Sequence, residues 1–289
     1  MKHELSANLT GKQCVITGAN AGIGKELTRV LGALGAEVTL ACRDLEKARA
    51  VAVELKSENP KLQLRLEELD VSRVDSISAF AARLAQATPK LDILLNNAGG
   101  WVMERRLTSD GFEQQWATNV LGPHLLTRLL AGSLAGGGRI VNVASTAAGG
   151  LDLSDTQYEK RKYSGVSAYS ATKQALRMLS WSWAAQLKEA GVTVNAMSPG
   201  LVNTELNRNA KGFFAVVFTI TKLFGKTASD GADTAAWLAA APELANETDQ
   251  FWENRKSIPC KFRDPEQQRL LFQLCDQQTD ARLAGQKAA

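Results

Sequence analysis

One short run near the start of the chain limits the fold more than anything else. It is Thr17-Gly18-Ala19-Asn20-Ala21-Gly22-Ile23-Gly24. Before it, residues 12–17 read as a short buried strand containing Cys14, Val15 and Ile16. After it, residues 25–34 read as a helix with Leu27, Val30, Leu31 and Leu34 at helical spacing, ended by Gly35. Residues 36–42 form the next apolar run. Strand, glycine turn, helix and strand make a βαβ unit. A glycine turn alone is an ordinary tight turn. Between these strands, small residues let the backbone approach a pyrophosphate, and the helix N-terminal amides face its charge.

The pattern repeats. Residues 62–69, 91–95, 138–144 and 192–197 read as further strands, and 74–87, 112–130 and 169–187 as helices. Strands alternating with helices imply a parallel sheet covered on both faces. The expected fold is α/β: one Rossmann-type three-layer αβα domain over residues 10–289, with a substrate-lid region in its C-terminal part. No Gly/Ser-rich or Pro-rich linker divides the 289 residues.

The net charge of +4 is spread among acids, and the densest basic cluster, Lys160-Arg161-Lys162, is short. No nucleic-acid partner is expected, because such a partner needs a clustered basic face. Four cysteines without metal spacing, two histidines and no apolar leader point to a reducing, cytoplasmic setting with no metal site. The sequence has no uncharged apolar run of 18 residues, so no transmembrane segment is expected.

In a doubly wound sheet, ligands bind beyond the carboxyl ends of the strands. Asp70, Asn96, Ala98, Gly99, Ser145, Pro199 and Gly200 all fall at such ends. Tyr169 and Lys173, four apart on a helix, share one face. A tyrosine can exchange a proton with an alcohol or carbonyl oxygen. A nearby ammonium and an oxidised nicotinamide would favour its phenolate. Ser145 can donate to the same oxygen and stabilise charge developing there. Tyr158 and Tyr163 have no lysine four residues later and are assigned to loop packing or a pocket wall. Trp101 follows the turn at 96–100 and is placed at the pocket edge. His124 is read as a satisfied polar residue, not a ligand.

Taken together and in order, these segments resemble the short-chain dehydrogenase/reductase superfamily. The matches are the glycine run, Asp70-Val71, Asn96-Asn97-Ala98-Gly99, Asn119, Ser145, Tyr169-Ser170-Ala171-Thr172-Lys173 and Ser198-Pro199-Gly200, over roughly residues 10–205. The resemblance implies that Ser145, Tyr169 and Lys173 carry catalysis, with Asn119 completing a proton relay. It implies NADP(H) held by Gly18, Asn20, Gly22, Ile23, Gly24, Arg43, Asp70, Val71, Asn96, Ala98, Gly99, Tyr169, Lys173, Pro199, Gly200, Val202 and Thr204. It also implies a homo-oligomer, expected as a dimer pairing through the helices that contain Asn119 and Tyr169.

A narrower resemblance is to the branch of retinol dehydrogenases, WW-domain-containing oxidoreductases and light-dependent protochlorophyllide reductases. It rests on Leu40-Ala41-Cys42-Arg43-Asp44, on Thr108-Ser109-Asp110-Gly111-Phe112-Glu113, and on the twenty-three residues between Ser145 and Tyr169. Ala144 stands where that branch usually has serine, and Ser198 where it often has histidine. The NADP(H) preference follows from the end of the second strand. An acid expected there would bind ribose hydroxyls, but Ala41 and Cys42 occupy the place. Arg43 follows, with a planar fork suited to a 2′-phosphate. Asp44 complicates this unless it starts the next helix.

The expected reaction is hydride transfer between the nicotinamide and the carbonyl or alcohol carbon of a bulky hydrophobic substrate. Residues 205–228, with Phe213, Phe214, Phe218 and Phe224, are the expected lid; a buried core helix or a membrane-surface helix are the other readings. A catalytically silent NADPH-binding regulator and an enzyme for small or polar carbonyls are the competing functions.

Overall fold

A computed structural model describes residues 5–202 and 225–287 of the chain. The first unit forms as its pattern requires. Strand β1 (Gln13–Thr17) leads through the glycine turn into α1 (Gly22–Ala33) and then β2 (Glu37–Cys42). A side chain is impossible at Gly24, where a Cβ would lie 2.3 Å from the Gly18 carbonyl oxygen and 2.7 Å from Asn97 Nδ2. Helix α2 (Leu45–Glu58) is capped by Asp44, whose carboxylate accepts from Lys47 N at 3.0 Å. Asp44 therefore does start the next helix.

The chain continues through β3 (Gln63–Glu68), α3 (Val74–Ala87) and β4 (Ile93–Asn96). A short turn α4 (Gln114–Trp116) and α5 (Gly122–Leu134) precede β5 (Arg139–Val143). Then come α6 (Gly165–Gln186), β6 (Thr193–Ser198), α7 (Ala228–Ala240), β7 (Phe251–Glu253), β8 (Lys256–Ser257) and α8 (Pro265–Lys287). Among the described residues the sheet runs β3-β2-β1-β4-β5-β6-β7-β8. It is parallel except for the final β7–β8 pair. Strand order reverses between β1 and β4, which opens a crevice at their carboxyl ends.

Two apolar layers sandwich the sheet. Phe80, Leu125, Met178 and Leu271 belong to one, supplied by α3, α5, α6 and α8. Leu27, Leu55 and Leu238 belong to the other, from α1, α2 and α7. The three-layer fold is as expected.

Several features differ from the sequence reading, helix α7 among them. The helix expected over 112–130 is interrupted by a π-helical turn, Ala117–Leu121, that carries Asn119. Two adjacent residues explain it. Gly122 donates its N–H to the Ala117 carbonyl, and Pro123 has no N–H to offer the Asn119 carbonyl. Gly122 also presses on Val71, whose carbonyl oxygen would sit 2.2 Å from a Cβ there.

The hairpin β7–β8 was not anticipated. Its strands of three and two residues are too short to show a period. Its turn uses Asn254 and Arg255 at φ 52° and 57°, without the glycine that usually marks such a turn. Helix α8 was also missed. It docks across α5 and α6 through the fully buried Leu271 and Cys275. Its Asp276 carboxylate meets His124 Nε2 at 2.9 Å and Arg128 Nη1 at 2.8 Å. Phe272 packs edge-on to the rings of His124 and Trp183. His124 is thus a partnered buried residue on α5.

Candidate active site

Helix α6 supplies the centre of the site. Ser164 caps it, accepting from Ser167 N at 3.4 Å, so the helix begins four residues before Tyr169. Tyr169 and Lys173 lie one turn apart, with the lysine nitrogen 5.6 Å from the phenol ring centroid. Lys173 is 5% exposed, and its Nζ donates to the Val143 carbonyl at 2.8 Å, just where β5 ends. Burial lowers its pKa to about 8. Burial raises that of Tyr169, and a hydrogen bond with Ser145 opposes the rise. Without a bound cation, therefore, Tyr169 is a neutral acid at pH 7.

Asn119 is held on both ends of its amide. Its Oδ1 accepts from Gly100 N at 2.8 Å, and its Nδ2 donates to the Gly100 carbonyl and to Thr172 Oγ1. It is buried in the π-turn beside α6. Gly99 joins this group: a Cβ there would lie 3.4 Å from Asn119 Oδ1 and 3.6 Å from Lys173 Nζ. Ser145, Tyr169, Lys173 and Asn119 are therefore brought together at the carboxyl edge of β4 and β5. Trp101 reaches the same place, its ring centroid 5.5 Å from that of Tyr169.

The crevice has the donors a dinucleotide needs. No side chain caps the N-terminus of α1, so the first-turn amides around Gly22, Ile23 and Gly24 face outward from the glycine turn. Lys173 makes one hydrogen bond among the described residues, leaving ammonium donors for ribose hydroxyls beside the space at Gly99. Arg43 is mostly exposed at the end of β2, with Nη1 3.9 Å from Asp70 Oδ2. Asp70 in turn accepts from Ser72 N and Oγ.

Asn20 lies in the glycine turn, and Val71 follows Asp70 into the packing against Gly122. Ala98 N donates to Thr17 Oγ1 at 2.9 Å, which pins the 97–99 backbone next to Gly18. Pro199, Gly200 and Val202 follow β6, and Val202 bridges to Lys226. Thr204 and residues 205–224 of the expected lid lie outside the described residues.

The Asn96 side chain is turned away from the crevice. It is 2% exposed and donates to Asn142 Oδ1 at 2.8 Å and Thr127 Oγ1 at 3.3 Å. It ties β4 to β5. Asn97 is the residue turned towards the glycine run, donating to the Thr17 carbonyl at 2.8 Å. The sequence missed this because neighbouring asparagines at a strand end point to opposite faces.

The long loop before α6 is built around Asp155. Its carboxylate accepts from the backbone N–H groups of Glu159, Lys160 and Arg161. Tyr163 sits between Gln115 Nε2 at 2.7 Å and Glu113 Oε1 at 3.0 Å, and Tyr158 is buried under the Arg161 guanidinium. Both tyrosines are committed to loop packing. Among the described residues no group of three or more His, Cys, Asp or Glu is placed to hold a metal ion, and no helix is long and apolar enough to cross a membrane.

The short chain dehydrogenase family pattern matches residues 12–212, and the chain belongs to that family. Its similarity is skewed towards retinol dehydrogenases. It is 36% identical to human retinol dehydrogenase 13 over 260 residues, covering 86% of this chain and 78% of that protein. Among solved structures, a short chain dehydrogenase from Burkholderia cenocepacia J2315 in complex with NADP superposes with TM-score 0.68 at 27% identity, over 84% of this chain and 96% of that one. A 3-ketoacyl-(acyl-carrier-protein) reductase from Brucella melitensis complexed with NADH gives TM-score 0.67 at 25% identity, over 86% and 98%.

Proposed function

We propose that the chain is an NADP(H)-dependent oxidoreductase for the carbonyl or alcohol carbon of a bulky hydrophobic substrate. The observation that carries this reading is the convergence of Tyr169, Lys173, Asn119 and the side-chain-free Gly99 at one strand edge. The solved relatives holding NADP or NADH support a nicotinamide cofactor. The Arg43 side chain at the end of β2, with Asp44 engaged as a helix cap, favours NADP(H) between the two. The bound cofactor would supply or accept the hydride.

The protein's own groups do the rest. In reduction, Ser145 Oγ donates to the substrate carbonyl oxygen and Tyr169 Oη gives it a proton. Oxidation reverses the transfer, with Tyr169 taking the alcohol proton. Lys173 orients ribose and favours the phenolate once a proton has left. Asn119 holds the backbone at Gly100 and, as in the family, completes the relay through water. Trp101 beside Tyr169 gives the reacting carbonyl one flat apolar wall.

The preference for a hydrophobic substrate rests on that wall, on the retinol dehydrogenase relatives and on the phenylalanines at 213, 214, 218 and 224 of the sequence. The intact catalytic set speaks against a silent NADPH-binding regulator. A reducing, cytoplasmic setting is proposed on the four cysteines, all free. Helix α8 already lies across α5 and α6, so we propose a monomer in place of the pairing over those helices that the family resemblance implies.

The test is NADPH absorbance with a panel of retinals, long-chain aldehydes, steroid ketones and small polar carbonyls. Turnover should favour the bulky apolar members. F214A/F218A should impair those members selectively while leaving NADPH affinity unchanged. Turnover confined to small polar carbonyls would overturn the substrate class. NADPH binding without turnover on any member would favour the silent regulator.

A further inference from the structure

Arg177 sits one turn beyond Lys173 on α6 and is 5% exposed. Burying a guanidinium is costly unless its donors are used. Here its Nη2 donates to the carbonyl oxygen of Ser145. Its guanidinium carbon lies 3.5 Å from the ring centroid of Phe251 on β7 and 5.7 Å from that of Phe262. Nη1 lies 3.8 Å from Cys260 Sγ. Burial lowers its pKa, with Cys260 and Glu253 opposing.

We propose that Arg177 is a positioning residue that clamps the catalytic serine to the C-terminal part of the fold. The proposal rests on the role given to Ser145 above. Strand β5 ends at Val143, so the Ser145 carbonyl has no sheet partner. Arg177 is its hydrogen-bond donor among the described residues. The serine Oγ is held in turn by the Ala147 amide, at 3.1 Å. Freeing the Ser145 carbonyl removes one of the two anchors of the peptide between 145 and 146, leaving the Thr146 amide on Ser198 Oγ at 3.3 Å, and so loosens the placement of the serine Oγ and of the Ala147 amide that holds it. Two successive turns of α6 thus hold two backbone carbonyls around the end of β5: Lys173 that of Val143, and Arg177 that of Ser145.

Stacking explains why the residue is arginine. A planar guanidinium can stack on the Phe251 ring, over which its carbon lies, and still donate along its edge, which an ammonium cannot do. The clamp also gives β7 and residues 260–262 a function, since they furnish the surface on which Arg177 rests.

The experiment compares R177Q, R177K and F251L in the full-length chain, each alone and with S145A. Misplacing a donor by about 1 Å costs on the order of 100-fold in rate. R177Q should lower kcat about 10- to 100-fold with NADPH affinity unchanged. R177K and F251L should give smaller losses. If Arg177 acts through Ser145, R177Q in the S145A background should cost less than about threefold. Equal losses in both backgrounds would overturn the clamp.

Hydrogen exchange reads the same contact without turnover. The amides of Thr146 to Gly149 are bonded in the wild type. R177Q and F251L should speed their exchange at least about tenfold while the amides of α1 stay unchanged. Unchanged exchange at 146–149 in both variants would overturn the clamp whether or not the chain reduces a carbonyl. Faster exchange in a chain with no carbonyl turnover would leave the clamp standing and refute the proposed reaction instead.

Discussion

Lys173→Met should make the protein more stable and inactive at once. The Lys173 ammonium is almost wholly buried, and its pKa falls from 10.5 to about 8. At about 1.4 kcal/mol per pKa unit, the charged form is worse off in the folded chain by about 3 kcal/mol at neutral pH. Methionine keeps the unbranched apolar stem, one atom shorter, without the charge. It also removes the donor to the Val143 carbonyl, and leaving that buried acceptor unpaired costs about 1–2 kcal/mol. The net expectation is a gain of about 1–2 kcal/mol at pH 7.

Between pH 8 and 10.5 the unfolded lysine stays protonated while the folded one loses its proton. The unfolded chain binds more protons in that window, so this group makes wild-type stability rise with pH across it. The variant should lack that rise. Urea unfolding of the cofactor-free protein at pH 7 and pH 10 measures both. A variant less stable than wild type at pH 7, or one that keeps the full rise to pH 10, would refute the reasoning. The same variant should lose NADPH affinity and turnover, because in the proposed reaction the ammonium holds ribose and supports the phenolate. Stability and activity would then move in opposite directions, as expected for a strained functional group.

Arg43→Glu should weaken NADPH binding by about 1–3 kcal/mol and narrow or reverse the preference over NADH, measured as two dissociation constants. Equal effects on both cofactors would remove Arg43 from the 2′-phosphate. Light scattering at micromolar concentration should give a mass near the chain's 31.1 kDa, because α8 covers α5 and α6; twice that mass, with α8 still protected from proteolysis, would show pairing over another face. Asp155 is held at a pKa of about 2, because hydrogen bonds from the 159–161 backbone and from Arg161 outweigh the upward push of burial. Its contribution should persist above the ordinary carboxylate range and vanish as pH falls through about 2. D155A should open the 152–164 loop to protease cleavage at neutral pH, and an unchanged cleavage pattern would show that the loop is held by other contacts.

The sheet was legible because β1, β2, β4, β5 and β6 are rich in apolar residues, β3 alternates leucine with polar residues, and the helices α1, α3 and α6 carry their period. The candidate site was legible for the same reason: polar or small residues fall where the strands stop, at Asp70, Asn96, Ser145 and Pro199-Gly200. The π-turn was not, though Gly122 and Pro123 signal it once the Val71 carbonyl is seen pressing on the helix. Nor was the division of labour between Asn96 and Asn97, which depends on the face each side chain takes. Arg177 was invisible, since its partners are a carbonyl and aromatic rings up to 85 positions away along the chain. Helix α8 has a polar sequence with few buried positions, and its docking depends on ion pairs to α5 that no periodicity reveals.

The most direct test of the proposed reaction follows deuterium from NADPH labelled on the transferred position into product, for wild type and Tyr169→Phe. The wild type should place the label on the carbonyl carbon of a bulky apolar substrate. Y169F should bind NADPH with unchanged affinity and transfer label at least about 100-fold more slowly, because the proton donor at the carbonyl oxygen is gone. Label transfer by Y169F at the wild-type rate would contradict the role given to Tyr169 and, with it, the reading of this site.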